Sequence, residues 1–170
     1  YEFMGKNMYE ELDLIRMNPI YRIVFPYDKE IKFTSDLPQL QEQMEKLEKG
    51  SYEKFLKYMH EGYKSYKLSM KHIIDRNYFN ALQFFSLKNL VMLFRLKAFR
   101  NHYKHTTKFF KNDYLRTVFT FQNIYVGQNP FTASAVFAML PFMELTDGVY
   151  FPKGGMKQVS QNMLEIAENE

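Results

Sequence analysis

The chain has 170 residues, long enough for one domain with a real core and too short for a typical two-domain enzyme. Its 46% hydrophobic and 18% aromatic content excludes an intrinsically disordered chain, and the absence of cysteine excludes a disulfide framework and thiolate chemistry. The net charge is only +4, so any basic surface has to be local.

The N-terminal residues carry acids early and no apolar run, unlike a secretory signal or a transit peptide. The best apolar stretch, LVMLF, is flanked by Lys88, Arg95 and Lys97 and is too short to span a bilayer. The chain opens without an initiator Met and stops at AENE, in a helix without a C-cap glycine, so it reads as a piece of a longer protein.

Residues 9–15 (YEELDLI) predict a short helix that Asn18-Pro19 ends, because the residue before a proline is driven out of the α region. The period then changes to two. YRIVF alternates Tyr21, Ile23 and Phe25, turn residues follow at 26–29, and Ile31 and Phe33 resume the alternation, which predicts a β-hairpin. Asp36, with Gln39 three residues on, predicts the start of a helix carrying Leu37, Leu40, Met44 and Leu47 at helical spacing up to Gly50. Ser51 is expected to cap the next helix, whose apolar face runs through Phe55, Tyr58 or Met59, Gly62, Tyr63, Tyr66 and Met70.

From Arg76 to Asn112 the chain holds no carboxylate, while Arg76, Lys88, Arg95, Lys97, Arg100, Lys104, Lys108 and Lys111 alternate with apolar residues. Three readings fit: a solvated helix face, an amphipathic segment on anionic lipid, or a nucleic-acid surface, for which no helix-turn-helix or RNP pattern is present. Asp113 is expected to cap a helix reaching Tyr125, with Leu115, Val118, Phe119 and Gln122 on one face. Gly127 and Gly148 sit where the chain leaves a helix or reverses and needs positive φ. A strand over 149–151 and a last helix with Met156, Val159, Met163, Ile166 and Ala167 inward complete an α+β arrangement, a hairpin or small sheet with a helical subdomain inserted.

Self-contained chemistry is thin. His102 and His105 are spaced i, i+3, but Arg100, Lys104 and Lys108 surround them, so an exposed pair on a basic helix is expected and no metal site. Ser51, Ser86 and Ser160 lie in no nucleophile elbow, and neither a dinucleotide-binding glycine motif nor a P-loop is present. The chain's own residues make no complete active site.

FTFQNIYVGQNP at 119–130, followed by YFPKGGM at 150–156, resembles the carotenoid desaturases, the phytoene dehydrogenase family of flavoproteins. Gln122, Tyr125, Gly127 and Pro130, small residues from Ala133 to Ala138, then Glu144, Gly148 and Tyr150 follow in the family's order. DLIRMNPIYRIVF and the segment from EIKFT onward resemble the part where a strand pair covers the substrate, and the likeness is loosest over 63–112.

The resemblance implies the substrate-binding and lid region of a flavoprotein amine-oxidase-like fold, without its dinucleotide-binding motif. Residues 1–36 would be a helix and hairpin, 37–112 a basic-aromatic helical insertion, and 113–170 core helices returning toward the FAD domain. It further implies dehydrogenation of long polyisoprenoids such as phytoene or dehydrosqualene by hydride transfer to FAD, a cofactor held mainly by parts absent from this chain. Pro152, Lys153, Gly154, Gly155 and Met156 would lie nearest the flavin, although Gly154-Gly155 also reads as a plain strand-to-helix turn. Gln122, Tyr125, Glu144, Tyr150 and Phe151 would face the polyene substrate, and no catalytic acid or base is designated. A bilayer-dwelling substrate gives Phe84, Phe85, Arg95, Lys97 and Phe99 a purpose as membrane contacts of a cytoplasmic, peripherally bound enzyme. Apolar surface that the rest of the enzyme would cover implies self-association of this piece alone. The competing class is a helical lipid-surface or protein-interaction module without catalysis.

Overall fold

The computed structural model describes residues 1–74, 77, 79, 80, 84 and 86–169. The expected membrane contact Phe85, the basic residue Arg76 and the side chain of Lys88 lie outside that description. The fold is α+β: among the described residues, helices accompany two separate two-stranded antiparallel sheets.

The N-terminal arm holds helix α1 (Met8–Glu11), capped by the Asn7 side chain at Tyr9 N (3.1 Å), and strand β1 (Leu14–Arg16). The helix expected over 9–15 therefore stops at Glu11. Leu14–Arg16 instead pairs with β4 (Tyr150–Pro152), Ile15 opposite Phe151, and a partner from the far end of the chain leaves no trace in local periodicity.

The hairpin forms as expected from β2 (Tyr21–Phe25) and β3 (Lys29–Phe33), and its inward face buries Ile31 and Phe33. Tyr27 and Asp28 take the left-handed turn conformation at φ 64° and 55° without a glycine. Helix α2 (Leu37–Leu47) starts where Asp36 Oδ1 accepts Gln39 N at 3.0 Å.

Ser51 does not cap the following helix α3 (Ser51–Ser69); it is the first helical residue, and its buried hydroxyl has no partner. Glu45 reaches over from α2 instead, accepting Gly50 N at 2.7 Å and Tyr52 N at 2.8 Å. A carboxylate satisfies two orphan donors where a hydroxyl would satisfy one.

Beyond α3 lie α4 (Leu87–Arg95), capped by Ser86, and the short α5 (His102–Thr106), capped by Asn101. Helix α6 (Asp113–Val118) is capped by Asn112, whose Oδ1 takes Tyr114 N at 2.9 Å, and not by Asp113. It ends at Val118 rather than Tyr125; after Thr120 the chain tightens into a 3-10 turn over Phe121–Val126, closed by Gly127 at φ 64°.

Phe119 is the hub of the core. Its ring lies 4.8 Å from Phe110, 5.5 Å from Tyr58, 5.6 Å from Phe55 and 5.9 Å from Phe33, joining α3, α6 and the hairpin in one apolar cluster. Helix α7 (Met139–Thr146), entered through a 3-10 turn over Ala135–Ala138, crosses α3 closely enough that a Cβ on Gly62 would stand 2.9 Å from Ala138 O. The last helix, α8 (Lys157–Glu168), buries only Ile166 of its expected inward face. Met156 is 61% and Met163 42% exposed and Ala167 is exposed too, because no described residue covers that stripe.

Candidate functional site

Three of the five residues expected at the substrate come together. Gln122 on the Phe121–Val126 turn donates through Nε2 to Glu144 Oε2 on α7 at 3.0 Å and to the Tyr21 hydroxyl at the start of β2. Tyr21 in turn donates to Glu144 Oε2 at 3.4 Å, and the Tyr125 phenol lies within the electrostatic reach of the same carboxyl. Tyr21 was not expected here; its sequence signal is its place as the first inward position of the alternating strand, with a polar tip on an aromatic body. Its ring is stacked on Phe33 at 5.0 Å and packed on Phe121 at 5.1 Å.

Burial raises the Glu144 carboxyl above the usual range, outweighing the polar groups of Gln122, Tyr125 and Tyr21 that pull the other way. Burial also raises the Tyr21 and Tyr125 phenols, with the Glu144 charge adding to both. Oε2 of Glu144 is filled by donors while Oε1 is buried without a partner, so a proton held by this carboxyl belongs on Oε1. Gln122 and Glu144 are covered by the surrounding chain; Tyr125, 55% exposed, is the member of the cluster that offers a face to the outside.

Tyr150 and Phe151 sit elsewhere, on β4, where Tyr150 meets the Tyr9 ring edge-on at 5.8 Å and Phe151 is exposed. The turn after them holds Gly154 and Gly155 at φ 87° and 95°, a conformation that demands glycine at both positions. A Cβ on Gly154 would press on the Gln158 side chain at 3.1 Å, whereas Gly155 faces open space. Lys153 is tied to the N-terminal arm by an ion pair with Asp13 at 3.2 Å, and Met156, at the N-cap of α8, supplies no side-chain cap.

The two histidines correct the sequence expectation: both are buried. Tyr58 OH lies 3.0 Å from the Phe119 carbonyl and 3.0 Å from His102 Nε2. A carbonyl can only accept, so the phenol proton goes to Phe119 and His102 Nε2 donates to Tyr58; Nδ1 is then bare and takes the Asn123 amide at 3.0 Å. Burial holds His102 down to about 4, neutral at physiological pH. His105 donates from Nε2 to Glu61 at 2.9 Å, and Lys97, left-handed at φ 58°, pairs with the same carboxylate. Lysines take the outside of α5 and leave the inside to the imidazoles, which sequence spacing alone does not reveal.

Of the expected membrane contacts, Lys97 is thus engaged internally, Arg95 and Phe99 are exposed, and Phe84 is half-buried. Among the described residues no helix is long and apolar enough to cross a membrane.

No family model matches the sequence. Among curated proteins, the chain is 34% identical over 167 residues to a zeta-carotene-forming phytoene desaturase of Myxococcus xanthus, covering 98% of the chain and 32% of the relative. It is 27% identical over 162 residues, 95% of the chain and 32% of the relative, to the 4,4'-diapophytoene desaturase (4,4'-diaponeurosporene-forming) of Staphylococcus aureus strains Newman and USA300. The chain thus spans about a third of the length of the curated relatives it matches. With nearly every residue aligned to desaturases of two carotenoid precursors, the chain belongs to the carotenoid desaturase family.

Proposed function

We propose that this chain forms the substrate-binding and lid portion, over residues 1–36, 37–112 and 113–170, of an FAD-dependent enzyme that dehydrogenates long polyisoprenoid hydrocarbons such as phytoene or dehydrosqualene. The observation that carries the reading is the alignment over 98% of the chain with a phytoene desaturase. When bound, FAD would accept a hydride equivalent from one carbon of the substrate while the neighbouring carbon loses a proton, leaving a new double bond.

The glycine turn before α8 suits contact with the flavin. Its two positive-φ glycines, the open space at Gly155 and the uncapped helix start at Met156 would let a flat or anionic edge approach the backbone from outside this chain. Pro152 and Lys153 would hold that turn in place through the ladder and the Asp13 ion pair.

A hydrocarbon offers no polar handle, so it must be bound by area and shape. Tyr125 presents an exposed ring edge-on to Phe121, and Phe151 and Met156 add exposed apolar area beside the glycine turn. The buried carboxyl and amide serve to position Tyr125 and Tyr21. Exposed Phe94 and Phe99, packed on one another at 5.0 Å beside Arg95 and Arg100, would rest on the membrane from which substrate enters.

The test is made on the intact protein: its absorption is recorded for flavin, and it is incubated with phytoene or dehydrosqualene in liposomes. Bound flavin and new long-wavelength polyene bands are expected. Flavin without such bands would move the substrate to another isoprenoid, and absence of flavin would refute the enzyme reading in favour of a lipid-surface module.

A further inference from the structure

Three cations share one groove. A cavity of about 550 Å³ beside α5 is lined by Phe99, Arg100, Lys104, His105 and Lys108. Arg100, Lys104 and Lys108 recur every fourth residue, are exposed, and make no ion pair among the described residues. The Glu61 carboxylate that His105 bonds is already shared with Lys97. Like charges gathered in a concave surface raise the local potential and are relieved by a bound anion.

The groove is also lined by a buried imidazole. His105 is 3% exposed, and its Nε2 proton is fixed on Glu61, so Nδ1 is left with a lone pair. That nitrogen is buried with no hydrogen-bond partner. The groove therefore offers three cationic donor side chains for anionic oxygens beside a buried imidazole, a setting complementary to a phosphate group. A guanidinium can take two phosphate oxygens at once, and lysines add point charges on either side.

We propose that this groove binds a phosphate group, with Arg100, Lys104 and Lys108 as its ligands and His105 in its lining. The chemistry is common to a phospholipid headgroup and to a soluble phosphate ester. The site stands apart from the glycine turn and from the Gln122–Glu144 cluster and does not depend on the desaturase reading. The exposed Phe94 and Phe99 rings form an apolar lip at its side, as a lipid headgroup would require.

Inorganic phosphate is titrated into the intact protein by calorimetry. In parallel the protein is sedimented with phosphatidylcholine vesicles with and without phosphatidic acid. Lys104→Gln with Lys108→Gln, two exposed side chains whose loss leaves the core intact, is expected to weaken binding roughly tenfold or more. Lys49→Gln with Lys157→Gln removes the same charge elsewhere and should leave binding unchanged. Phosphate binding without vesicle preference assigns the groove to a soluble ester; preference for phosphatidic acid vesicles with weak inorganic phosphate binding assigns it to a headgroup. No binding in either assay, or equal losses in the two double variants, overturns the site. Because neither assay reads flavin or desaturation, its failure is distinct from failure of the proposed enzyme.

Discussion

Acidification from pH 7 to pH 5 should cost the folded chain about 2 kcal/mol through one residue, His102. Its folded pKa is about 4 against an ordinary 6.5, because burial disfavours the imidazolium; the Asn123 hydrogen bond recovers part of that, and nearby His105 adds to the depression. The unfolded chain therefore binds more protons than the folded chain between those values. The stabilisation is complete above 6.5 and disappears as pH falls to 4, by which point about 3 kcal/mol is gone. The geometry gives the cause. Nε2 already donates to Tyr58, whose own proton is engaged by the Phe119 carbonyl, so an added proton must go on Nδ1 against the Asn123 side chain. Asn123 can turn its oxygen toward that N–H, but the charge stays buried beneath the Phe119 hub. The assay is urea denaturation followed by circular dichroism at pH 7, 6 and 5 for the wild type and His102→Gln. The variant should be weaker at pH 7 and lose about 2 kcal/mol less on acidification. Equal losses in the two proteins, or an NMR titration midpoint for His102 near 6.5, would refute the reasoning.

Gly62→Ala gains helix propensity but drives a Cβ to 2.9 Å from Ala138 O and 3.0 Å from Phe142 Cβ; overpacking should win, with a net loss of about 1–2 kcal/mol in thermal or urea denaturation. Asn112→Ala removes the α6 cap and the bond to Leu47 O and should cost about 1–2 kcal/mol, whereas Asp113→Ala, on an exposed side chain, should cost less than half as much. Equal costs would show that the cap is assigned to the wrong residue. Because the Glu144 pKa is raised on folding, the stability tied to its proton is present below the ordinary carboxyl range and is lost as pH rises. Glu144→Gln should therefore gain on the wild type between pH 5 and pH 8, and a constant difference across that range would contradict the buried carboxyl.

The hairpin was legible because two-residue alternation is a local property: Tyr21, Ile23 and Phe25 carry it without help from the rest of the chain. The Asp36 cap was legible for the same reason. Gln122, Tyr125 and Glu144 were singled out by the order of a family motif, and their convergence on Tyr21 depends on a turn, a helix and a strand that no spacing relates. The sequence failed where the deciding partner is distant. Leu14–Arg16 is a strand because Tyr150–Pro152 lies beside it, and Glu45 displaced Ser51 as a cap because α2 and α3 fold back on each other. His102 and His105 looked exposed because their neighbours are lysines, yet the ring positions answer to Tyr58, Asn123 and Glu61.

The ladder of β1 and β4 has a mechanical meaning. Leu14 lies opposite Pro152 and Arg16 opposite Tyr150, so the N-terminal arm and α8 leave the ladder from the same end. Tension that draws those two segments apart loads first the contacts outside the ladder, Tyr1 with Asn162 and Asp13 with Lys153, and then the Leu14–Pro152 rung, opening the pair like a zipper instead of shearing its three rungs together. The aromatic cluster around Phe119 lies off that line of force and feels none of it until the zipper is open. The glycine turn, fixed to β4 on one side and α8 on the other, would thus be drawn along with the opening ladder before the core is strained.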